Sequence, residues 1–241
     1  MNDVDTLRGD ASGGETPRQP RAVAICSGGL DSAVLAYLLR EQGYALHLLG
    51  FDYGQRHVKE LDYAANLAVG IAARFDRVDL TSLRPLLRGS ALTDDIEVPH
   101  GHYAAPNMAI TVVPNRNAVM LAIAYAAAVS DEAQLVGCGV HAGDHFVYPD
   151  CRPEFIQSFE AMQQKATEGF SDPNLSLYAP FLSWSKADIV REGARLNVPF
   201  AQTWSCYEGG ALHCGQCGTC VERKEAFVLA EAPDPTAYAD G

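Results

Sequence analysis

No stretch of the 241-residue chain approaches the roughly 18–20 consecutive apolar residues of a membrane span. The longest helical apolar stretch, Ala118 to Val129, is short and Ala-rich, so no membrane partner is expected. The N-terminus, MNDVDTLRGDASGGETPRQP, lacks the apolar segment of a secretory signal and reads as a flexible polar leader over residues 1–20. That points to the cytoplasm, a reducing compartment in which the seven Cys are free, catalytic or metal-bound instead of paired. Basic residues are scarce: 18 Lys and Arg against 30 Asp and Glu give a net charge of -12. A general nucleic-acid coat is thereby excluded, because phosphate contacts need clustered cations, though a local basic pocket for a small anion is not. Internal repeats are missing, and so is any low-complexity tract beyond the leader.

What is present is globular. Hydrophobic residues make up 48% and charged residues 20%, enough apolar material for a sizeable core. Apolar runs predict strands at Ala22–Cys26, Ala45–Phe51, Arg77–Leu80, Ala133–Cys138 and Leu175–Ala179. Helical spacing predicts helices from Val34 to Gly43, His57 to Phe75, Asn115 to Ser130, Pro153 to about Gly169, and Ser185 to Leu196, the last capped by Ser183 or Ser185. Between them, Thr81 to Met108 is irregular and carries Pro85, Pro99 and Pro106; loops of that length are functional or mobile. Strands alternating with helices indicate an α/β fold with a doubly wound parallel sheet, here spanning residues 21–203, followed by a small C-terminal subdomain over 204–241. Ligands of such sheets bind at the carboxyl ends of the strands, near a topological switch point. The loops after Cys26 and after Cys138 fall there together.

Ser27-Gly28-Gly29-Leu30-Asp31-Ser32 follows a predicted strand and opens a predicted helix. Two glycines permit a tight turn and close backbone approach, and a helix N-terminus offers free N–H groups with a partial positive charge. The loop suits a phosphate chain. It is neither a GxxxxGK[ST] loop, since no Lys follows the glycines, nor a GxGxxG loop. A plain Gly-rich strand-to-helix turn with an Asp cap is the alternative.

Cys206, Cys214, Cys217 and Cys220 are spaced C-x7-C-x2-C-x2-C. Tight Cys-x2-Cys turns let thiolates converge on one ion, and four thiolates match a tetrahedral structural zinc with no open coordination position. An iron–sulfur cluster is the rival, but Val221, Glu222 and Arg223 replace the further Cys and Pro of the ferredoxin run. His213 reads as a neighbour of the cluster, not a ligand.

The SGGLDS loop resembles the pyrophosphate loop of the N-type ATP pyrophosphatases, in which ATP adenylates a substrate oxygen. The fold that resemblance implies is adenine-nucleotide α-hydrolase-like. With it come Phe51-Asp-Tyr-Gly-Gln-Arg-His57, Val113-Pro-Asn-Arg-Asn117, Tyr148-Pro-Asp-Cys-Arg152, Thr203-Trp-Ser-Cys-Tyr207 and the Cys triplet ending at Cys220. In that order the motifs resemble the 7-cyano-7-deazaguanine (preQ0) synthase family of the queuosine pathway, from about Arg21 to Phe227. The segment His141 to Val147 departs from that family's wording.

The resemblance implies conversion of 7-carboxy-7-deazaguanine and ammonia to the nitrile with ATP and Mg2+, one structural Zn2+ per chain, and a homodimer that binds neither nucleic acid nor membrane. Cys26, Ser27, Gly28, Gly29, Leu30, Asp31, Ser32 and Ala33 would cradle the nucleotide. Asp31, Arg116 and Lys186 would be catalytic, the two cations neutralising phosphate or carboxylate charge. For those cations a surface salt bridge and a solvated helix residue are the plain alternatives. Asp52, Gln55, Asp150 and Arg152 would contact the substrate, and His57 would also face the site. Cys151 needs no nucleophilic role, since adenylation requires no covalent Cys. Two other readings remain: a tRNA-modifying enzyme of the same superfamily, and a paralogue that joins a related acid to another amine.

Overall fold

The computed structural model describes residues 18–239; residues 1–17, which hold most of the expected leader, and 240–241 lie outside the described residues. Strands β1 (Arg21–Ile25), β2 (Ala45–Asp52), β3 (Arg74–Asp79), β4 (Leu135–Gly137) and β5 (Ser176–Tyr178) form one parallel sheet in the order β3-β2-β1-β4-β5. The connecting helices are α1 (Leu30–Glu41), α2 (Glu60–Gly70), α3 (Arg116–Ser130) and α4 (Pro153–Ala166), followed by α5 (Lys186–Arg195) and α6 (Gly218–Leu229). Among the described residues no helix is long and apolar enough to cross a membrane.

Side chains alternate across a strand, so consecutive residues of β1 serve different layers. Ala22 and Ala24 pack with Leu35 and Leu39 of α1, Ile189 and Val190 of α5, and Phe227 of α6. Val23 packs on the opposite face with Leu121 and Tyr125 of α3 and Ile156 of α4. Both faces are covered, which is why the central strands read as unbroken apolar runs instead of alternating ones. From β1 the chain steps outward to β2 and β3, then returns to lay β4 on the other side of β1. Right-handed crossovers therefore put α1 and α2 on one face and α3 and α4 on the other, and the direction reverses between β1 and β4.

Several boundaries move relative to the sequence expectation. The helix expected over His57 to Phe75 occupies only Glu60–Gly70. Ala72, at φ 53, turns the chain, and Arg74 and Phe75 already pair with His47 and Leu48 as the start of β3. β3 is a half-exposed edge strand whose apolar residues, Phe75 and Val78, continue the helical spacing of α2, so periodicity misassigned its first residues. Ser185 is the cap of α5, in a reciprocal pair of hydrogen bonds with Asp188.

The irregular stretch after β3 contains two 3-10 turns, Thr81–Leu86 and Pro106–Thr111. Ala91 N–H donates to Ile110 O at 2.8 Å and Gly101 N–H to Gln216 O at 3.0 Å, which fastens this loop to the cysteine segment. The fully buried Arg223 of α6 donates to Thr203 Oγ1 at 2.8 Å, Ser205 Oγ at 3.1 Å and Phe200 O at 2.9 Å. Thus α6 pins the Thr-Trp-Ser-Cys stretch against the body of the protein.

Candidate active site and metal centre

A cavity of about 220 Å³ opens at the carboxyl ends of β1, β2 and β4, where the chain direction reverses. Cys26, Ser27, Gly29, Leu30, Asp31 and Ser32 form one wall of it. Gly28 and Ala33 stand behind that wall. Gly28, at φ +83, rests on α2: a Cβ there would lie 2.2 Å from Glu60 O and 2.8 Å from Ala64 N. Only glycine fits, because the position is both left-handed and in backbone contact. Gly29 caps α1 without any side-chain hydrogen bond, leaving the first N–H groups of the helix for a ligand.

Lys186 lies across the loop from α5. Its Nζ is 2.6 Å from Asp31 Oδ2, 3.3 Å from Glu222 Oε2 and 3.3 Å from His141 Nε2. Burial alone would raise the Asp31 carboxyl, but Lys186 and His141 together hold it below the usual carboxylate range. Burial pushes Glu222 up, despite Lys186. Lys186 remains an ammonium: burial would lower it, but Asp31, Glu222 and Asp144 raise it. Asp31 Oδ1 is buried with no hydrogen-bond partner. An ionised buried oxygen without a donor is costly, and a divalent cation carried by phosphates is a partner of fitting charge.

The far end of the cavity is aromatic. Tyr53, Tyr103, Tyr148 and Tyr207 line it with Asn117. Thr111 Oγ1 is 2.7 Å from Tyr148 OH, Tyr148 OH is 3.4 Å from Tyr207 OH, and Tyr103 OH donates to Asp144 Oδ1 at 2.9 Å. Arg116 donates to Tyr53 OH at 3.2 Å. Among the described residues no carboxylate lies within ion-pair distance of its guanidinium. Arg116 is therefore a half-buried cation that shares the cavity with acids, Glu60 among them, yet has none within ion-pair distance, and neither cation is a surface salt bridge or a solvated helix residue.

Beside the SGGLDS loop, Glu60 and His57 complete the wall. Burial pushes the Glu60 carboxyl up to about 8, against a hydrogen bond from Gln55 and the charge of Arg116. Burial and Arg116 push His57 down to about 3, so its ring is neutral. The thiols of Cys26 and Cys138, also in the wall, are pushed up to about 11 and about 12 by burial, and Cys151 is raised as well. A protonated thiol is a poor nucleophile.

The structure brings Asp31, Arg116 and Lys186 into one cavity with the SGGLDS loop. It places Asp52, Gln55, Asp150 and Arg152 outside the lining. Asp52 accepts from Gly54 N–H at 3.1 Å and pairs with Arg77. Gln55 accepts from Tyr53 N–H at 2.9 Å and donates to Phe51 O at 2.9 Å. Asp150 accepts from Asn117 N–H at 3.0 Å and so caps the start of α3. Arg152 is exposed and donates to His145 O at 3.0 Å. Gln55 and Asp150 thus hold lining residues without lining the cavity themselves. Sequence reasoning missed Glu60, Glu222, Asp144, His141 and the tyrosines. Tyr53, Tyr148 and Tyr207 stood inside quoted motifs, whereas Glu222, on a helix beyond the last Cys, had no signal.

The Sγ atoms of Cys206, Cys214, Cys217 and Cys220 lie within 4.8 Å of one another, a set that could hold a metal ion. Cys214 N–H donates to Cys206 Sγ at 3.3 Å and Cys217 N–H to Cys214 Sγ at 3.2 Å, bonds that favour thiolates. His213 points its Nε2 elsewhere, accepting from Ser205 N–H at 3.1 Å. Trp204, Ser205, Tyr207, Thr219 and Glu222, all close to these cysteines in sequence, line the cavity.

A family model described as queuosine biosynthesis protein QueC matches residues 21–231. Over 220 residues the chain is 56% identical to a 7-cyano-7-deazaguanine synthase of Ruegeria sp., covering 91% of this chain and 94% of that one. Identity is also 56% over 220 residues to the synthase of the same name from Rhizobium meliloti, covering 91% and 92%. Among solved structures, an NMN synthetase from Francisella tularensis superposes with a TM-score of 0.51 at 14% identity, covering 90% of this chain and 79% of that chain; this likeness concerns the fold alone.

Proposed function

The chain belongs to the QueC family of queuosine biosynthesis proteins, and from that premise we propose that its cavity converts 7-carboxy-7-deazaguanine and ammonia to 7-cyano-7-deazaguanine with ATP. One observation supports the reading most: the same cavity holds the SGGLDS loop, which suits phosphates, and a half-buried arginine with no carboxylate within ion-pair distance among the described residues. A planar acid with a single carboxylate fits between them. The tyrosines offer faces and hydroxyls to the ring, and Arg116 takes the carboxylate.

A carboxylate oxygen is a poor leaving group, and its transfer to the α-phosphate of ATP makes it a good one. The N–H groups at the start of α1, with Lys186, stabilise the charge developing on pyrophosphate. Asp31, with its free Oδ1, and the acids around Lys186 would hold the Mg2+ that accompanies ATP; that ion would screen the phosphates as they approach. Attack of ammonia on the activated carbon gives the amide. Activation of the amide oxygen in the same site then removes it as AMP and leaves the nitrile. The four cysteines would hold zinc, whose sulfur bonds of about 2.3 Å place tetrahedral sulfurs about 3.8 Å apart. Cys214 Sγ and Cys220 Sγ are 4.0 Å apart, which supports that fit. The ion would be structural, because all four positions are taken.

The test is a product assay with the free-base acid, ammonium and Mg2+–ATP. AMP, pyrophosphate and the nitrile are expected without added tRNA. ADP as the direct product would overturn the adenylation reading, and turnover only with tRNA would favour the tRNA-modifying alternative. Elemental analysis should give about one zinc per chain; stoichiometric iron with a visible absorbance band would replace zinc by a cluster.

A further inference from the structure

Glu60 is the buried acid of the cavity that phosphate binding leaves unused. Its backbone is the surface on which Gly28 rests, so its carboxyl lies on the wall beside the phosphate loop. Its orientation is fixed from behind. Gln55 accepts from Tyr53 N–H and donates to Phe51 O, which settles which end of its amide is which, and the same Nε2 donates to Glu60 Oε1 at 3.3 Å. His57 Nε2 stands 3.6 Å from that oxygen. Both neighbours engage Oε1, and among the described residues no hydrogen bond reaches Oε2.

The chemistry proposed above needs a group of this kind. Nitrogen enters as ammonia and ends as a nitrile, so it must lose every proton it brought. In the last step the C–O bond to AMP breaks and its electron pair leaves with AMP. At the same time an N–H bond breaks, and its electrons become the new C–N π bond. The proton needs an acceptor in the cavity. Asp31 and Glu222 are committed to Lys186, Asp144 accepts from Tyr103 OH and His141 N–H, and the neutral His57 ring is too weak a base.

We propose that Glu60 is the catalytic base that takes protons from the substrate nitrogen, above all in the step from amide to nitrile; this rests on the function proposed above. The charged and titratable groups around Glu60 are Arg116 of α3, Cys26 at the end of β1, Tyr53 after β2 and His57 on its own segment. Burial outweighs Arg116, so the carboxyl titrates near working pH, where a general base is most effective.

Two assays with Glu60→Gln, which imitates the protonated acid, test this. The first feeds the 7-carboxamide and Mg2+–ATP and measures nitrile, so ammonium ionisation plays no part. The second measures acid-dependent exchange of labelled pyrophosphate into ATP, which needs adenylation but no proton from nitrogen. Nitrile formation should fall by about 100-fold or more in the variant, and exchange by less than about tenfold. In the wild type, nitrile formation should rise about tenfold per pH unit and level off above about pH 8. The residual rate of Glu60→Gln should lack that limb. Equal loss in both assays, or a wild-type rate of nitrile formation in the variant, overturns the proposal. Absence of acid-dependent exchange in the wild type overturns the functional reading itself, and needs no variant to be seen.

Discussion

At the SGGLDS end of the cavity one cation, Lys186, faces three acids, Asp31, Asp144 and Glu222, two of them in ion pairs with it; at the other end Arg116 has no acid within ion-pair distance, feels only Glu60 from farther off and is ringed by Tyr53, Tyr148 and Tyr207. The first end carries no surplus positive charge, so a bare polyphosphate gains little there and the nucleotide must bring its own cation. The second end has a charge without an ion-pair partner, held beside Tyr53 and Tyr207, whose phenols burial pushes up. One cation is held in ion pairs, and the other is held by a phenol with no ion pair.

Breaking the phosphate-loop end should have the larger effects. Gly28→Ala forces a left-handed backbone on alanine and drives a Cβ into α2. A loss of at least about 4 kcal/mol in thermal or denaturant unfolding is expected, with nucleotide-dependent turnover abolished. Lys186→Met strands buried carboxylates and should cost about 3–4 kcal/mol. It should also invert a pH dependence. In the wild type Asp31 is held below 3.8, so its contribution is present above that pH and lost as pH falls. Without Lys186, burial raises Asp31 above 3.8, and its contribution turns against the fold as pH rises. Unfolding at pH 4 and pH 7 should show the slopes crossing.

Changes at the aromatic end sharpen the contrast. Arg116→Met should lower kcat/KM for the carboxylate substrate by about 100-fold, the loss of a charged hydrogen-bonded contact. The neutral amide should lose less than about tenfold; equal losses would show that Arg116 serves the nucleotide instead. Tyr148→Phe removes the hydroxyl between Thr111 and Tyr207 and should cost about 1 kcal/mol, read as a rise of several-fold in KM with kcat nearly unchanged.

The same contrast explains what the sequence could tell. The phosphate loop is local: Ser27 to Ser32 are neighbours in the chain, and the strand before and helix after them are visible as apolar patterns. The cysteine set is nearly local, because short spacings bring thiols together. The aromatic end is assembled from residues 53, 103, 116, 148 and 207 on separate loops, and no spacing brings them together. Asp150 shows the cost. A carboxylate on a strand-end loop suggested a ring contact, but its geometry is that of a cap on the Asn117 N–H, a demand of α3 that no local pattern reveals. Edge strand β3 was expected at Arg77–Leu80 but begins at Arg74, since half-exposed strands lack the run of apolar residues that marked β1 and β2.

Arg223 ties Phe200, Thr203 and Ser205 to α6, and Glu222, beside it, closes the cavity against Lys186. The first residue lining the site is Ile25 and the last is Glu222. The lining is therefore complete only once α6 has been made. An interrupted chain that has already formed the sheet and the SGGLDS loop lacks the cysteines, Glu222 and the pin. A chain stopped short of α6 would keep the SGGLDS loop but not the Glu222 that pairs with Lys186, so the two walls of the cavity depend on opposite ends of the sequence.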